Sequence, residues 1–261
     1  MRDRMLNYKA TIAYDGTNFH GVAEQLNGPD EPNIRTVIGE LRAIINLVTQ
    51  HDPKIIVSGR TDKGVHALNQ VISFDLPENI DEKELSRLAY VCNSKLNPEI
   101  LVKSIERVDE NFHARFSAKS RTYRFFIDNS ELPNIFNSRF SWHISKPLDI
   151  EAMKLAAKVF IGEQDFTSVC KKDESMPHNI REVFTSHFIE DEIFGDETIC
   201  YEISANAFCW NMVRSIVGVL VDVGLGKISA DEVPELLARK QRDSSRSFAP
   251  PQGLVLFEVA Y

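Results

Sequence analysis

The run Ser58-Gly59-Arg60-Thr61-Asp62-Lys63-Gly64-Val65-His66-Ala67 holds one carboxylate between two cations and two glycines. Apolar residues Ile55-Ile56-Val57 precede it and Gln70 to Leu76 follow, so it reads as a polar loop between two buried strands. A loop of that kind is where a rigid scaffold presents reactive groups. Gly59 and Gly64 allow tight backbone turns and close approach by a ligand. Arg60 and Lys63 favour the ionised form of Asp62, and an ionised carboxylate can serve as nucleophile or base. The same residue types also make an ordinary surface turn, with Asp62 in a local Asx bond or a solvated salt bridge. Spacing alone leaves both readings open. His66 has no companion histidines at metal-ligand spacing, so the loop does not read as a metal site.

Two further groups stand out by their surroundings. Between Glu110 and Asp128 the charged residues are Arg115, Lys119, Arg121 and Arg124, all basic. On one extended strand Arg115, Ser117, Lys119, Arg121 and Tyr123 would share a face. Cations interleaved with an aromatic suit phosphates plus one stacked base, although a solvated strand with Tyr123 in the core fits equally. Arg214 is the only charged residue between Glu202 and Asp222, in an apolar stretch with helical spacing. A buried arginine there needs an anionic partner, whereas one at the helix edge can snorkel to water. The stretch Ala238 to Arg246 is a second basic run, suited to an RNA cleft or to a helix end.

The elements that must hold these groups follow from periodicity. Thr11 to Tyr14 reads as a strand stopped at Asp15-Gly16, and Asn33 as the cap of a helix with Val37, Ile38, Leu41 and Ile45 on one face. Asp81 opens a second helix, and Leu101 to Val108 returns as a strand. The order β-α-β-β-α-β is ferredoxin-like. Residues 111–261 repeat it loosely, with strands near 121–128, 183–190, 199–206 and 254–261. Their helices fall near 150–161 and 208–223, with a short one near 231–240. The expectation is an α+β fold of two ferredoxin-like, RRM-like halves, 1–110 and 111–261, with antiparallel sheets around a central cleft.

Composition bounds the rest. The chain has 261 residues, 43% hydrophobic and 26% charged, as in a globular protein with a sizeable core. It has no run near the roughly 20 apolar residues that span a bilayer and no secretory signal, which points to the cytoplasm. Cys92, Cys170, Cys200 and Cys209 lack CxxC spacing and read as buried free thiols. A net charge of −8 argues against a protein that coats nucleic acid through its overall field, but not against a local basic cleft.

Gly59 to Ala67 resembles the GRTDxGVHA signature of the TruA family of tRNA pseudouridine synthases, with every fixed position met. Ala13 to Gly21 is similar to the family's opening YDGTxFxG segment, and Phe112 to Arg124 to its FHARFSAxxRxYRY segment. Phe208 to Arg214 resembles FLxxMVR, and Ala249 to Leu254 the closing APxxGL. The resemblance implies Asp62 as the nucleophile and Arg60 as the arginine that holds it. Tyr123 is implied as the aromatic packed on the target uracil, and Arg214 as a residue that meets the aspartate. It further implies tRNA in the anticodon stem-loop as substrate, a homodimer, and no cofactor or metal. One departure is Gly21-Val22-Ala23-Glu24-Gln25, where the family often has GWQ, which puts the neighbouring RNA-contacting loop and the substrate range in question.

Two other classes fit parts of the pattern. A non-catalytic RNA-binding module would not need Asp62, Arg60, Tyr123 and Arg214 together. A hydrolase with an Asp62 nucleophile would need a water-activating base or metal cluster, and none is visible in the sequence.

Overall fold

The structure is a computed structural model that describes residues 4–24, 34–173, 177–193, 196–242 and 246–261. The chain divides into two compact units, Met1–Lys119 with Leu256–Tyr261, and Ser120–Val255. The first half of the chain runs β1 (Met5–Tyr14), α1 (Val37–Thr49), β2 (Ile56–Val57), β3 (His66–Pro77), α2 (Glu82–Leu96) and β4 (Ile100–Arg107). The rest runs β5 (Ser120–Asp128), β6 (Trp142–His143), α3 (Ile150–Ala157), β7 (Gly162–Asp165), β8 (Ile180–Ile193), β9 (Asp196–Ala205), α4 (Met212–Gly224), α5 (Val233–Ala238) and β10 (Leu254–Ala260).

In the first unit β1 alternates strictly, with Leu6, Tyr8, Ala10, Ile12 and Tyr14 buried and the residues between them facing out. That is the period-2 pattern of a strand with one covered face. Each large side chain buried this way contributes roughly 1.5–3 kcal/mol. β1 pairs antiparallel with both β3 and β4, and β2 pairs antiparallel with β3. The strand order is thus β4-β1-β3-β2. The other side of β3 takes β10, where Asn69 Nδ2 donates to Phe257 O at 2.7 Å. The chain end is held again where Lys119 N donates to Ala260 O at 2.8 Å and Tyr261 OH to Ala114 O at 2.7 Å. Residues 256–261, which the sequence grouped with the second half, therefore lie in the first unit. No local pattern signals that return, because the partners of these contacts are far apart in the sequence, 188 positions for Asn69 and Phe257 and 147 for Ala114 and Tyr261.

Helix α2 starts at the expected cap: Asp81 Oδ1 accepts from Glu84 N at 2.8 Å, and Glu84 closes the capping box. Helix α1 is capped by Thr36, whose Oγ1 accepts from Gly39 N at 3.2 Å. The cap expected at Asn33 lies outside the described residues.

In the second unit the strand order is β5-β9-β8-β7, all antiparallel, with β6 joined parallel to β5. Phe125, Ile127, Tyr201 and Ile203 from the strands and Met153, Ile216 and Leu220 from the helices form its buried core. β5 begins at Ser120, and Ala114 to Phe116 is a turn, so the single basic face expected from Arg115 to Tyr123 does not form. Strands β6 and β7 were not anticipated, since two and four residues are too few to show a period. Among the described residues no helix is long and apolar enough to cross a membrane.

Candidate active site

Asp62 lies in a turn closed by Val65 N donating to Asp62 O at 3.1 Å. Gly64 adopts φ +79°, the left-handed region that glycine enters without a Cβ penalty. The turn is tied to the segment after β1: Gly64 N donates to Phe19 O at 3.3 Å, and Val22 N to Thr61 O at 3.2 Å. His66, 3% exposed, accepts from Gly16 N on Nδ1 at 3.0 Å, so it serves as a buried brace for the same segment.

Beneath the loop runs a closed polar network. Tyr14 OH and Thr61 Oγ1 share a hydrogen bond of 2.8 Å. Gln70 Oε1 accepts from Ser58 Oγ at 2.6 Å, while Gln70 Nε2 donates to Gly59 O at 2.8 Å and to Tyr14 OH at 3.4 Å. Ser58, Thr61 and Gln70 are all buried, and burial pushes the Tyr14 hydroxyl up to about 12 against the hydrogen bonds from Thr61 and Gln70. Buried polar groups of this kind are stable only when paired, and here each has a partner. Asp62 itself is half-buried, with Arg60 and Lys63 exposed. The arrangement offers a carboxylate at the first position of the Asp62–Val65 turn, next to residues that cannot shift without breaking buried hydrogen bonds. Sequence reasoning missed Tyr14, Ser58 and Gln70 as supports. The available signal was Gln70, a polar residue leading into the apolar run Val71-Ile72 of β3.

The other two expected site residues belong to the second unit. Tyr123 sits on β5 opposite Ile203 of β9 and is 7% exposed. Its ring meets Phe208 edge-on, with centroids 5.1 Å apart at 87°. Phe208 opens the segment that leads into α4, so the Tyr123 ring is packed against the entry to the helix carrying Arg214. Arg214 lies in the first turn of α4 and is half-buried. Its Nε donates to Ala249 O at 2.8 Å and its guanidinium lies over the Phe248 ring, 4.1 Å from the centroid. It neither snorkels freely nor is fully sealed.

The remaining cations are partly committed to local structure. Arg121 is buried and donates to Asn206 O at 2.7 Å, and Arg124 pairs with Glu202 at 2.8 Å. In the second basic run Arg239 pairs with Glu235 at 3.0 Å and Lys240 with Asp165 at 3.3 Å, while residues 243–245 lie outside the described set. Cys92, Cys170 and Cys200 are buried free thiols, and Cys209 is half-buried.

A profile of the family described as tRNA pseudouridine synthase matches residues 10–117 and 156–261. The chain belongs to the tRNA pseudouridine synthase family. The synthase is 40% identical over 257 residues to tRNA pseudouridine synthase A of Brevibacillus brevis, covering 98% of this chain and all of that protein. It is 38% identical over 257 residues to the protein of the same name from Acetivibrio thermocellus, with 98% and 100% covered. With that of Limosilactobacillus reuteri it shares 37% over 260 residues, covering 98% and 97%. Family membership makes it an isomerase. The matched ranges include Arg60, Asp62 and Arg214, while Tyr123 falls between them. Val22, where the resembled motif has Trp, is fully buried, and Ile38 N donates to its carbonyl at 3.0 Å.

Proposed function

We propose that the synthase converts uridine to pseudouridine in the anticodon stem-loop of tRNA, with Asp62 as the catalytic nucleophile. The observation that carries this reading is the half-buried carboxylate that opens the Asp62–Val65 turn, beside supports that are buried and hydrogen-bonded. The reaction breaks the bond between ribose C1′ and uracil N1, turns the base, and forms a bond from C1′ to C5. The C5 proton then leaves to water, so the change is redox-neutral and consumes no activated donor. Asp62 attacks C1′ as N1 leaves; C5 of the turned uracil then attacks C1′ and displaces the Asp62 carboxylate, with N1 taking up a proton as C5 loses one. A C2′-deuterium isotope effect on product formation would point instead to proton removal from the ribose.

Arg60 and Arg214 are the cations that aim the carboxylate. The position of Arg214 supports this: a cation in the first turn of a helix opposes the helix dipole, so an anionic partner offsets that cost. Tyr123 stacks on the uracil once it leaves the helix, replacing part of a stacking loss of a few kcal/mol. The strand order β4-β1-β3-β2 with its two helices supports a ferredoxin-like first half that carries the catalytic loop. The second half supplies Tyr123 and phosphate-binding cations, and the active protein is a homodimer in the cytoplasm.

The test is incubation with unmodified tRNA bearing tritium at uridine C5. Tritium release that vanishes in Asp62→Ala, with tRNA affinity retained, is the expected result. Full release by that variant would overturn Asp62, and tRNA binding without any release by the unaltered protein would make the chain a binding module. Sedimentation with and without tRNA tests the dimer.

A further inference from the structure

Helix α4 carries Arg214, Gly218 and Asp222 at intervals of four, which places them in one stripe along the helix. Along that stripe runs the segment Ser247-Phe248-Ala249 in the opposite direction. At its far end the Ala249 carbonyl accepts from Arg214 Nε at 2.8 Å, and Ala249 N donates to Arg214 O at 3.2 Å. At its near end Asp222, 2% exposed, accepts from Ser247 N at 3.0 Å and from Ser247 Oγ at 2.6 Å. Lys227 Nζ joins both, at 2.7 Å from Asp222 Oδ1 and 3.1 Å from Ser247 Oγ. Between the ends only a hydrogen fits at position 218, since a Cβ there would stand 1.9 Å from Ser247 O. Phe248 then has no freedom to slide, and its ring underlies the Arg214 guanidinium at 4.1 Å, with Arg242 5.3 Å from the same ring.

We infer that Asp222 is a positioning residue for the isomerisation, acting through the Ser247–Ala249 strap to fix the direction in which Arg214 presents its guanidinium. This rests on the proposed role of Arg214. A flexible arginine has several rotamers of similar energy, and holding Nε on a carbonyl with the plane on an aromatic ring selects one. That carbonyl and that ring belong to a strap which on its own is an irregular chain segment. It gains its fixed height over α4 from the buried carboxylate two turns away, about 12 Å along the helix.

The experiment is a kinetic cycle on C5-tritiated tRNA with Asp222→Asn, Arg214→Lys and the double variant, together with amide exchange of the strap. Asp222→Asn should lower kcat roughly tenfold to a hundredfold with KM within about twofold, since a displacement of about 1 Å near the chemistry has effects of that order. In the Arg214→Lys background it should remove less than about a further twofold, because both changes disable one device. Exchange of the Ser247 and Ala249 amides should quicken roughly tenfold while that of the α4 interior is unchanged. If Asp222→Asn fails to fold, Ser247→Ala, expected to lose about threefold in kcat, and Phe248→Leu take its place in the cycle. Losses that multiply in the double variant, a raised KM at unchanged kcat, or unaltered strap exchange would overturn the strap. Unchanged kcat in Arg214→Lys would overturn the role of Arg214 and this inference with it. A wild-type protein that releases no tritium would instead sink the proposed reaction, which the exchange measurement does not depend on.

Discussion

At the scale of single residues, the loop around Asp62 separates the proposed nucleophile from the groups that hold it. Asp62→Asn keeps size and loses the charge and the nucleophile. Its kcat should fall by at least about a thousandfold while tRNA affinity stays within about threefold, as measured by tritium release and filter binding. Tyr14→Phe tests the support. It removes a buried hydroxyl bonded to Thr61 and Gln70, leaving their polar atoms short of a partner. The expected cost is about 1–3 kcal/mol in denaturant unfolding. Activity should drop severalfold without a change in KM, because the loop backbone at Thr61 loses its anchor. The hydroxyl itself stays protonated throughout the neutral range, since burial holds its pKa near 12.

At the scale of elements, two backbone devices constrain the segments that carry the proposed site residues. Gly64 turns the catalytic loop at φ +79°, and Gly64→Ala should destabilise the fold by about 1–2 kcal/mol through left-handed strain, visible as a lower unfolding midpoint. The second device is the strap on α4. Burial pushes the Asp222 carboxyl up, but Lys227 and the two bonds from Ser247 outweigh it and hold the group below the usual carboxylate range. A folded-state pKa below the unfolded value means that stability from Asp222 is fully present above the ordinary carboxylate pKa of 3.8 and is lost as pH falls below it. Unfolding free energy should therefore decline more steeply below about pH 4 in the parent than in Asp222→Asn, which lacks the titrating group.

At the scale of the whole molecule, an acidic chain that binds tRNA must do so through local basic surface. Arg121, Arg124, Arg239 and Lys240 each bond within their own unit, so phosphate contacts fall in part to other cations. With roughly five phosphates neutralised, the slope of log affinity against log salt should lie between about −3.5 and −4.5, measured by titration at several salt concentrations. A slope near zero would mean that shape and stacking, rather than phosphates, carry binding.

The sequence by itself determined a good deal. The strict alternation in β1, the capping box at Asp81 and the apolar stripe of α1 are local patterns whose physics acts within a few residues. The motif around Asp62 was legible for the same reason, since its glycines and charges are contiguous. What tertiary structure decided lies in contacts between distant positions. Gln70 stands out locally only as a polar residue leading into an apolar run, and becomes a loop support when Tyr14, Ser58 and Gly59 close around it. Residues 256–261 join the first unit where Asn69, Lys119 and Ala114 meet them. Arg214 was visible as a lone cation in an apolar helix, but its ring, its carbonyl and the distant carboxylate behind them come from residues 222 and 247–249. Composition and spacing constrain which groups exist and which local conformations they favour. Which polar groups end up facing one another is decided by packing, because a buried donor or acceptor must find its partner wherever the chain brings one.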